Sequence, residues 1–335
     1  MKKYLLIIIG VTLVLILLWW AGIERTIKLM MRADIRFILL AILMYCISVL
    51  IWAVRWNTFL KGANINVSFV KVIEGVFIGI FLNNLTPGAR TGGEAVKVIF
   101  IKKASSNGSY SKVFATVIAD RILDVIPVVV FMMLAFLYAL TIHARVLLII
   151  LGISAIILVI ILLMTTVFSI KEKYALSALL YLARIFRKIF PSKFSMSEDK
   201  IKEKLLGEIR EFKETFLRLA KRKRRLSSTM LYSFILWGAD ILKTYFIFLS
   251  LGGRITFLQV LLVRMASIAV AMISVIPGGI GITEVVQSAL FLAVGVEKAL
   301  AVSVTMLDRL ISFWIPTLLG GILVLKNRKL LVSSS

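Results

Sequence analysis

Cysteine and histidine are nearly absent, at one residue each in a chain of 335 residues. Cys46 alone excludes an internal disulfide and a cysteine-held metal, and His143 alone argues against His-ligated metal chemistry. Proline is scarce at five residues, and Asp and Glu number 17 against 41 Lys and Arg. No G-x-x-x-x-G-K-[ST] stretch occurs, so the chain carries no ATP-driven motor, and no G-x-S-x-G elbow marks a serine nucleophile. Polar surface is what the chain lacks most. It is 60% hydrophobic with a mean hydropathy of +1.00, too apolar to cover its own core in water, and it reads as an integral membrane protein.

Apolar runs near residues 4–22, 37–54, 113–139, 146–170, 228–250 and 299–325 are each long enough to cross a ~30 Å hydrocarbon layer as a helix of about 20 residues. Two others, 68–101 and 256–296, are too long for one helix and are broken near the middle by Pro and Gly. They read as re-entrant helical hairpins or as pairs of short spans. The N-terminal run after Lys2 and Lys3 is longer than a signal-peptide core and lacks a small-x-small cleavage site, so it reads as a retained anchor. The expectation is one all-α polytopic membrane domain over residues 1–335, with about 6–8 spanning helices.

The formal net charge of +24 would suggest nucleic acid in a soluble protein, but its location points elsewhere. Residues 171–227 hold 17 Lys or Arg against 7 acids and end in Lys221, Arg222, Lys223, Arg224 and Arg225, directly before an apolar run. The bias of basic residues toward the cytoplasm places this segment inside, together with both termini, at the cell membrane. Clusters of this kind meet the anionic inner leaflet, so the expected partner is anionic lipid and not nucleic acid. The loop bearing Arg25, Lys28, Arg32 and Arg36 then falls outside, against the bias. Within 171–227, apolar residues at 175, 179, 182, 186 and 189, and at 201, 205, 209, 212, 216 and 219, repeat at helical spacing. They predict two amphipathic helices on the inner membrane surface, with docking of another protein as the alternative.

One arrangement of residues occurs twice. The first copy runs Asn84, Pro87, Gly88, Arg90, Gly92, Gly93, Glu94, then Asp120, Arg121, Asp124 and Pro127. The second runs Pro277, Gly278, Gly279, Gly281, Glu284, then Asp308, Arg309 and Pro316. In both, Glu follows Pro by seven positions, an Asp-Arg dipeptide comes next, and four of the five prolines fall at matched places. The number of crossings between the copies, about 68–139 and about 256–325, is odd, which predicts an inverted repeat whose broken helices meet near the midplane.

A charged side chain at the bilayer centre costs at least ~2.5–3.5 kcal/mol on insertion scales, so Glu94, Asp120, Arg121, Asp124, Glu284, Asp308 and Arg309 require partners or water, and function is the default reading. The rival reading is that Asp120 and Asp308 pair with arginines across the repeat interface to lock the helices. The glycines at 88, 92, 93, 278, 279 and 281 suggest backbone amides left open to an anionic headgroup at helix starts, with Arg90, Arg121, Arg264 and Arg309 adding charge-assisted contacts. Glu94 and Glu284 serve either there or as partners of their own helix dipoles. Lys71 with Glu74, and Asp240 with Lys243, sit three apart and read as pairs within one helix.

The combination Asn83-Asn84-x-x-Pro87-Gly88-x-x-x-Gly92-Gly93-Glu94, Asp120-Arg121, Pro277-Gly278-Gly279-x-Gly281-x-x-Glu284 and Asp308-Arg309 resembles the flippase-like transmembrane region of lysylphosphatidylglycerol synthases, over nearly the whole chain. In the multiple-peptide-resistance proteins of that family the membrane region is associated with moving aminoacylated phosphatidylglycerol between leaflets, and a separate soluble domain makes the lipid. No such domain occurs in these 335 residues, so synthase activity is not carried over. The resemblance and the residues together imply a translocase, not an enzyme, for a lipid with an anionic headgroup such as a phospholipid or polyprenyl-phosphate-linked sugar. Its substrate residues would be Asn84, Gly88, Arg90, Gly92, Gly93, Glu94, Asp120, Arg121, Gly278, Gly279, Glu284, Asp308 and Arg309, with no cofactor or metal. Two other readings stand beside it: an intramembrane lipid-modifying enzyme using Asp120, Asp124 and Glu94, and a membrane partner of a separate glycosyltransferase or lipid synthase docked on 171–227.

Overall fold

The computed structural model describes residues 2–86, 92–189, 198–271 and 276–332, and every regular element among them is helical. Helix α1 (Lys2–Ala21) and α2 (Ile23–Met31) meet at an 87° bend. Helix α3 (Ile35–Gly62) starts on Asp34, whose carboxylate accepts the Arg36 N–H at 2.9 Å, satisfying one donor of the first turn. A broken pair follows, α4 (Phe69–Leu85) and α5 (Gly92–Ala104). Helix α4 stops because Thr86 precedes Pro87 and takes extended backbone, φ −94° and ψ 137°, where the proline ring excludes the helical region.

The long α6 (Tyr110–Thr141) carries Pro127 inside, and α7 (Arg145–Ile170) runs back along it. The basic segment forms α8 (Glu172–Ile189) and α9 (Glu198–Lys221). The second half then opens on α10 (Lys223–Ser250) and a second broken pair, α11 (Phe257–Ala271) and α12 (Ile282–Ala293), with a 3-10 turn at Pro277–Gly279 between them. It ends in α13 (Lys298–Arg309), a π-helical turn over Leu310–Trp314, α14 (Ile315–Lys326) and α15 (Arg328–Val332).

Five stretches are long and apolar enough to span: α3, α6, α7, α10 and the continuous run Lys298–Lys326, with the bent α1–α2 pair as a sixth. The protein is thus an all-α, multi-pass membrane protein. The members of the broken pairs do not pass that test. Helix α5, with 13 residues, reaches about 20 Å at 1.5 Å per residue, short of the hydrocarbon layer.

The two halves run in opposite senses. At one end the Asp34 N–H, before α3, donates to the Ser250 carbonyl at the end of α10 at 2.7 Å. At the other end Gly62, closing α3, lies against Arg225 at the start of α10. Helices α3 and α10 are therefore antiparallel neighbours. Each broken pair leans on the long helix of the other half: α4 packs on α14, and α11 on α6. The matched residues extend upstream of 68 and 256, because α3 and α10 also correspond, as the buried charges show below.

Helix α9 departs from the expectation of a surface-lying helix. Its apolar stripe packs onto protein, with Ile209, Phe216 and Leu219 buried and Phe216 and Leu219 clustered with Phe59, Ala115 and Ala119. Ser109 and Ser111, at the head of α6, donate to Glu211 and Glu208 on α9. Helix α8, by contrast, leaves Tyr174, Leu179, Tyr181 and Ile185 exposed. Lys213 bonds Glu172 at 2.8 Å, pinning α8 to α9 and holding the Glu172 carboxyl below its ordinary range.

The second break is seated by α1. A Cβ on Gly10 would lie 2.6 Å from the Ile280 carbonyl oxygen. Gly281 has φ +84°, and its own Cβ would lie 2.5 Å from the Gly10 oxygen. Gly10→Val should therefore unseat α1, lowering the melting temperature by an overpacking cost of about 1–3 kcal/mol. Gly207→Ala, at a helical glycine with open space around it, should leave the melting temperature unchanged or raise it. Equal effects would show that the α1 contact carries no stability.

Candidate functional site

The buried charges of the two halves follow one plan. In the first, Arg55 on α3 is fully buried. Its Nε donates to Asp120 at 2.7 Å, and one terminal nitrogen donates to Asp124 at 2.5 Å and to Ser233 of α10 at 2.6 Å. Trp52, one turn earlier, donates to the other Asp120 oxygen at 3.0 Å. In the second half Lys243 on α10, also fully buried, bridges Asp240 at 2.8 Å and Asp308 at 3.0 Å. Arg55 to Lys243, Asp120 to Asp308 and Arg121 to Arg309 are the same step along the chain.

The Asp-Arg dipeptides do not pair internally. Adjacent residues on a helix diverge by about 100°, so they face different neighbours. The aspartate turns to the preceding long helix. The arginine turns to the glutamate of the broken pair: Arg121 bonds Glu94, and Arg309 bonds Glu284 at 2.6 Å. Nor are Asp120 and Asp308 locked by arginines across the repeat interface. Asp308 takes Lys243 and Arg264, both of its own half.

Lys71–Glu74 and Asp240–Lys243 do form within their helices, but neither stops there. Lys326 reaches Glu74 at 3.0 Å, and Arg264 holds both Asp240 and Asp308. Arg55 and Lys97 were not singled out by the sequence. Extending the repeat upstream would have matched Arg55 to Lys243. Lys97 is fully buried, ion-paired with Glu94 at 3.1 Å and set over the rings of Trp52 and Trp56.

Among the described residues the buried charges thus form a network of three neutral groups: Arg55, Lys97 and Arg121 with Glu94, Asp120 and Asp124; Lys243 and Arg264 with Asp240 and Asp308; and Arg309 with Glu284. Left single, twelve such groups would cost on the order of 30 kcal/mol in a bilayer. Pairing all of them is what the environment demands.

Among the described residues of the breaks, three glycine amides are capped. Gly93 gives its N–H to the Asn83 side chain at 2.8 Å, Gly281 gives its N–H to Glu284 at 2.7 Å, and Gly279 gives its own to the Ile276 carbonyl at 2.9 Å. Helix starts buried in protein need such caps, and the chain supplies them. Gly278, at φ +61°, has no room for a Cβ, which would lie 2.5 Å from the Phe313 ring and 2.8 Å from the Asn84 carbonyl. Its own carbonyl accepts from Arg309 at 3.0 Å. Asn84 also donates to Thr317 at 2.7 Å, so the end of α4 meets both α14 and the second break. Gly92 opens α5. Gly88 and Arg90 lie outside the described residues.

Between the halves lies a cavity of about 220 Å³. The first half contributes Trp52, Asn83, Asn84, Arg121 and Asp124 to its wall, and the second contributes Asp240, Arg264, Gln287, Asp308 and Arg309. Glu94, Asp120 and Glu284 stand behind this wall, each bonded to one of its residues or to Arg55. Among the described residues no group of three His, Cys, Asp or Glu is placed to hold a metal ion. Next to the cavity, Arg309 stacks on Phe313, in the π-helical turn that begins at Leu310. Pro127 follows Arg121 by six positions and Pro316 follows Arg309 by seven, and a π turn accommodates one extra residue.

Residues 7–320 match the family model described as lysylphosphatidylglycerol synthase TM region. A "UPF0104 membrane protein" of Methanothermobacter thermautotrophicus is 28% identical over 331 residues, covering 95% of this chain and 94% of that protein. A second, of Methanocaldococcus jannaschii, is 26% identical over 337 residues, covering 97% and 94%.

Proposed function

We propose, since the chain belongs to the lysylphosphatidylglycerol synthase transmembrane-region family, that it is a lipid translocase. It would carry a lipid with an anionic headgroup, a phospholipid or polyprenyl-phosphate-linked sugar, from one leaflet to the other. The observation that carries this reading is the polar cavity walled by both antiparallel halves, with Arg121, Arg264 and Arg309 on its surface inside an otherwise apolar bundle. A headgroup entering it exchanges water for fixed charges while its tails stay in the bilayer, so the protein need only offset the headgroup's desolvation. Inversely oriented halves around such a site suit alternating access, in which rocking one half exposes the same wall to either side.

The reading is of a carrier and not an enzyme. Each carboxylate of the network already accepts from a cation, which leaves none poised as a general base. The sidedness that goes with it has both termini and α8–α9 in the cytoplasm of a cell-membrane protein.

The test is a headgroup-accessibility assay in liposomes holding only the purified protein and a labelled phospholipid. A membrane-impermeant reagent should reach nearly all of the label, against the outer-leaflet half in empty liposomes. Protection of the inner half in both preparations would end the translocase reading.

A further inference from the structure

The cavity wall carries hydrogen-bonding capacity that no protein group uses. Among the described residues, Arg264 Nε, the Ser267 hydroxyl and both ends of the Gln287 amide are buried without a partner. All three residues line the cavity. Gln287 is fully buried and Ser267 is 4% exposed. Arg264 and Ser267 sit three apart on α11, on one face, and α12, which bears Gln287, packs against α11.

The first half closes the matching place. Glu94 and Glu284 correspond, and three positions further on Lys97 stands where the second half has Gln287. The Lys97 stem fills the space beside Gly79, where a Cβ would lie 2.6 Å from Lys97 Cδ. Its ammonium is neutralised by Glu94. The second half replaces that closed ion pair with an amide bonded to none of the described residues. A core has no use for it, because a buried amide without partners destabilises where a leucine of similar size would not.

We infer that Gln287, with Ser267 and Arg264 Nε, is the headgroup subsite, and that it selects phosphodiester headgroups that carry a hydrogen-bond donor. This deepens the translocase reading and rests on it. Arg264 Nε, the serine hydroxyl and the Gln287 Nε2 donate, which suits phosphate oxygens. Gln287 Oε1 can only accept, so it requires an N–H or O–H beyond the phosphate. An ethanolamine ammonium or a glycerol hydroxyl supplies one. The trimethylammonium of choline supplies none and leaves Oε1 buried and unpaired, the situation in which polar sites discriminate most strongly.

The experiment uses the full-length protein in native mass spectrometry with phosphatidylethanolamine, phosphatidylglycerol and phosphatidylcholine of identical chains, alongside the leaflet assay with the same lipids. Phosphatidylcholine should be retained at least tenfold more weakly than either donor-bearing lipid, whose two arms separate ammonium from hydroxyl as the donor. Gln287→Leu should bring all three to the phosphatidylcholine level while the lipid-free melting temperature holds or rises. Equal retention by the wild type, a preference that survives Gln287→Leu, or a lipid-free protein destabilised by that change would each overturn the subsite. Preference without leaflet exchange would sink translocation and leave the subsite standing. Exchange without preference would sink the subsite alone.

Discussion

Arg55→Met will cost the protein about 3–5 kcal/mol, because it leaves two buried carboxylates without their counter-ion. Asp120 is fully buried and keeps only the Trp52 N–H, while Asp124 keeps the longer contact to Arg121, at 3.4 Å, and the neighbouring Trp237. The loss should appear as a lower melting temperature and a smaller monodisperse fraction in detergent. Arg55→Lys should retain more of the folded protein, since Lys243 holds two carboxylates at the matched position in the second half. Adding Asp120→Asn and Asp124→Asn to Arg55→Met should recover most of the stability, because amides carry no stranded charge. An Arg55→Met protein that melts with the wild type would refute the account of these charges as a coupled network.

Arg309→Met should cut leaflet exchange at least tenfold. The guanidinium joins α13 to the second break through Glu284 and the Gly278 carbonyl while lining the cavity. The partner to neutralise with it is Glu284 and not the adjacent Asp308. Glu284→Gln/Arg309→Met should regain the melting temperature lost by Arg309→Met without regaining exchange. Asp308→Asn/Arg309→Met should not regain it, since that change frees Lys243 and Arg264 of an acceptor. Exchange at wild-type rate in the Glu284→Gln/Arg309→Met protein would make the pair a packing lock and move the transport site elsewhere in the cavity.

The spanning helices were legible because about 20 apolar residues admit few other outcomes in a chain this hydrophobic. The broken pairs were legible because Pro87 and Pro277 interrupt such runs. What the sequence concealed was partnership. Asp120 and Arg121 are neighbours in the chain and suggest a pair, but helical rotation sends one to Arg55 and the other to Glu94. Arg55 went unnoticed because a lone basic residue in an apolar run carries no pattern until its counterpart Lys243 is set beside it. The glycines suggested open amides, yet the caps that occupy two of them, Asn83 and Glu284, lie ten residues upstream and three downstream. The stripe of α9 was read correctly as a helix face, but periodicity cannot say whether lipid or protein covers it.

The equal numbers of opposite charges in the network also bear on the electric field across the membrane. An elementary charge moved through 100 mV gains or loses about 2.3 kcal/mol. These charges form three groups, three cations with three carboxylates, two with two, and the Arg309–Glu284 pair, and within each group that moves as a unit those contributions cancel. Rocking of the halves therefore carries no gating current from these groups. Voltage dependence of exchange then reports the charge of the cargo together with that of residues outside these groups.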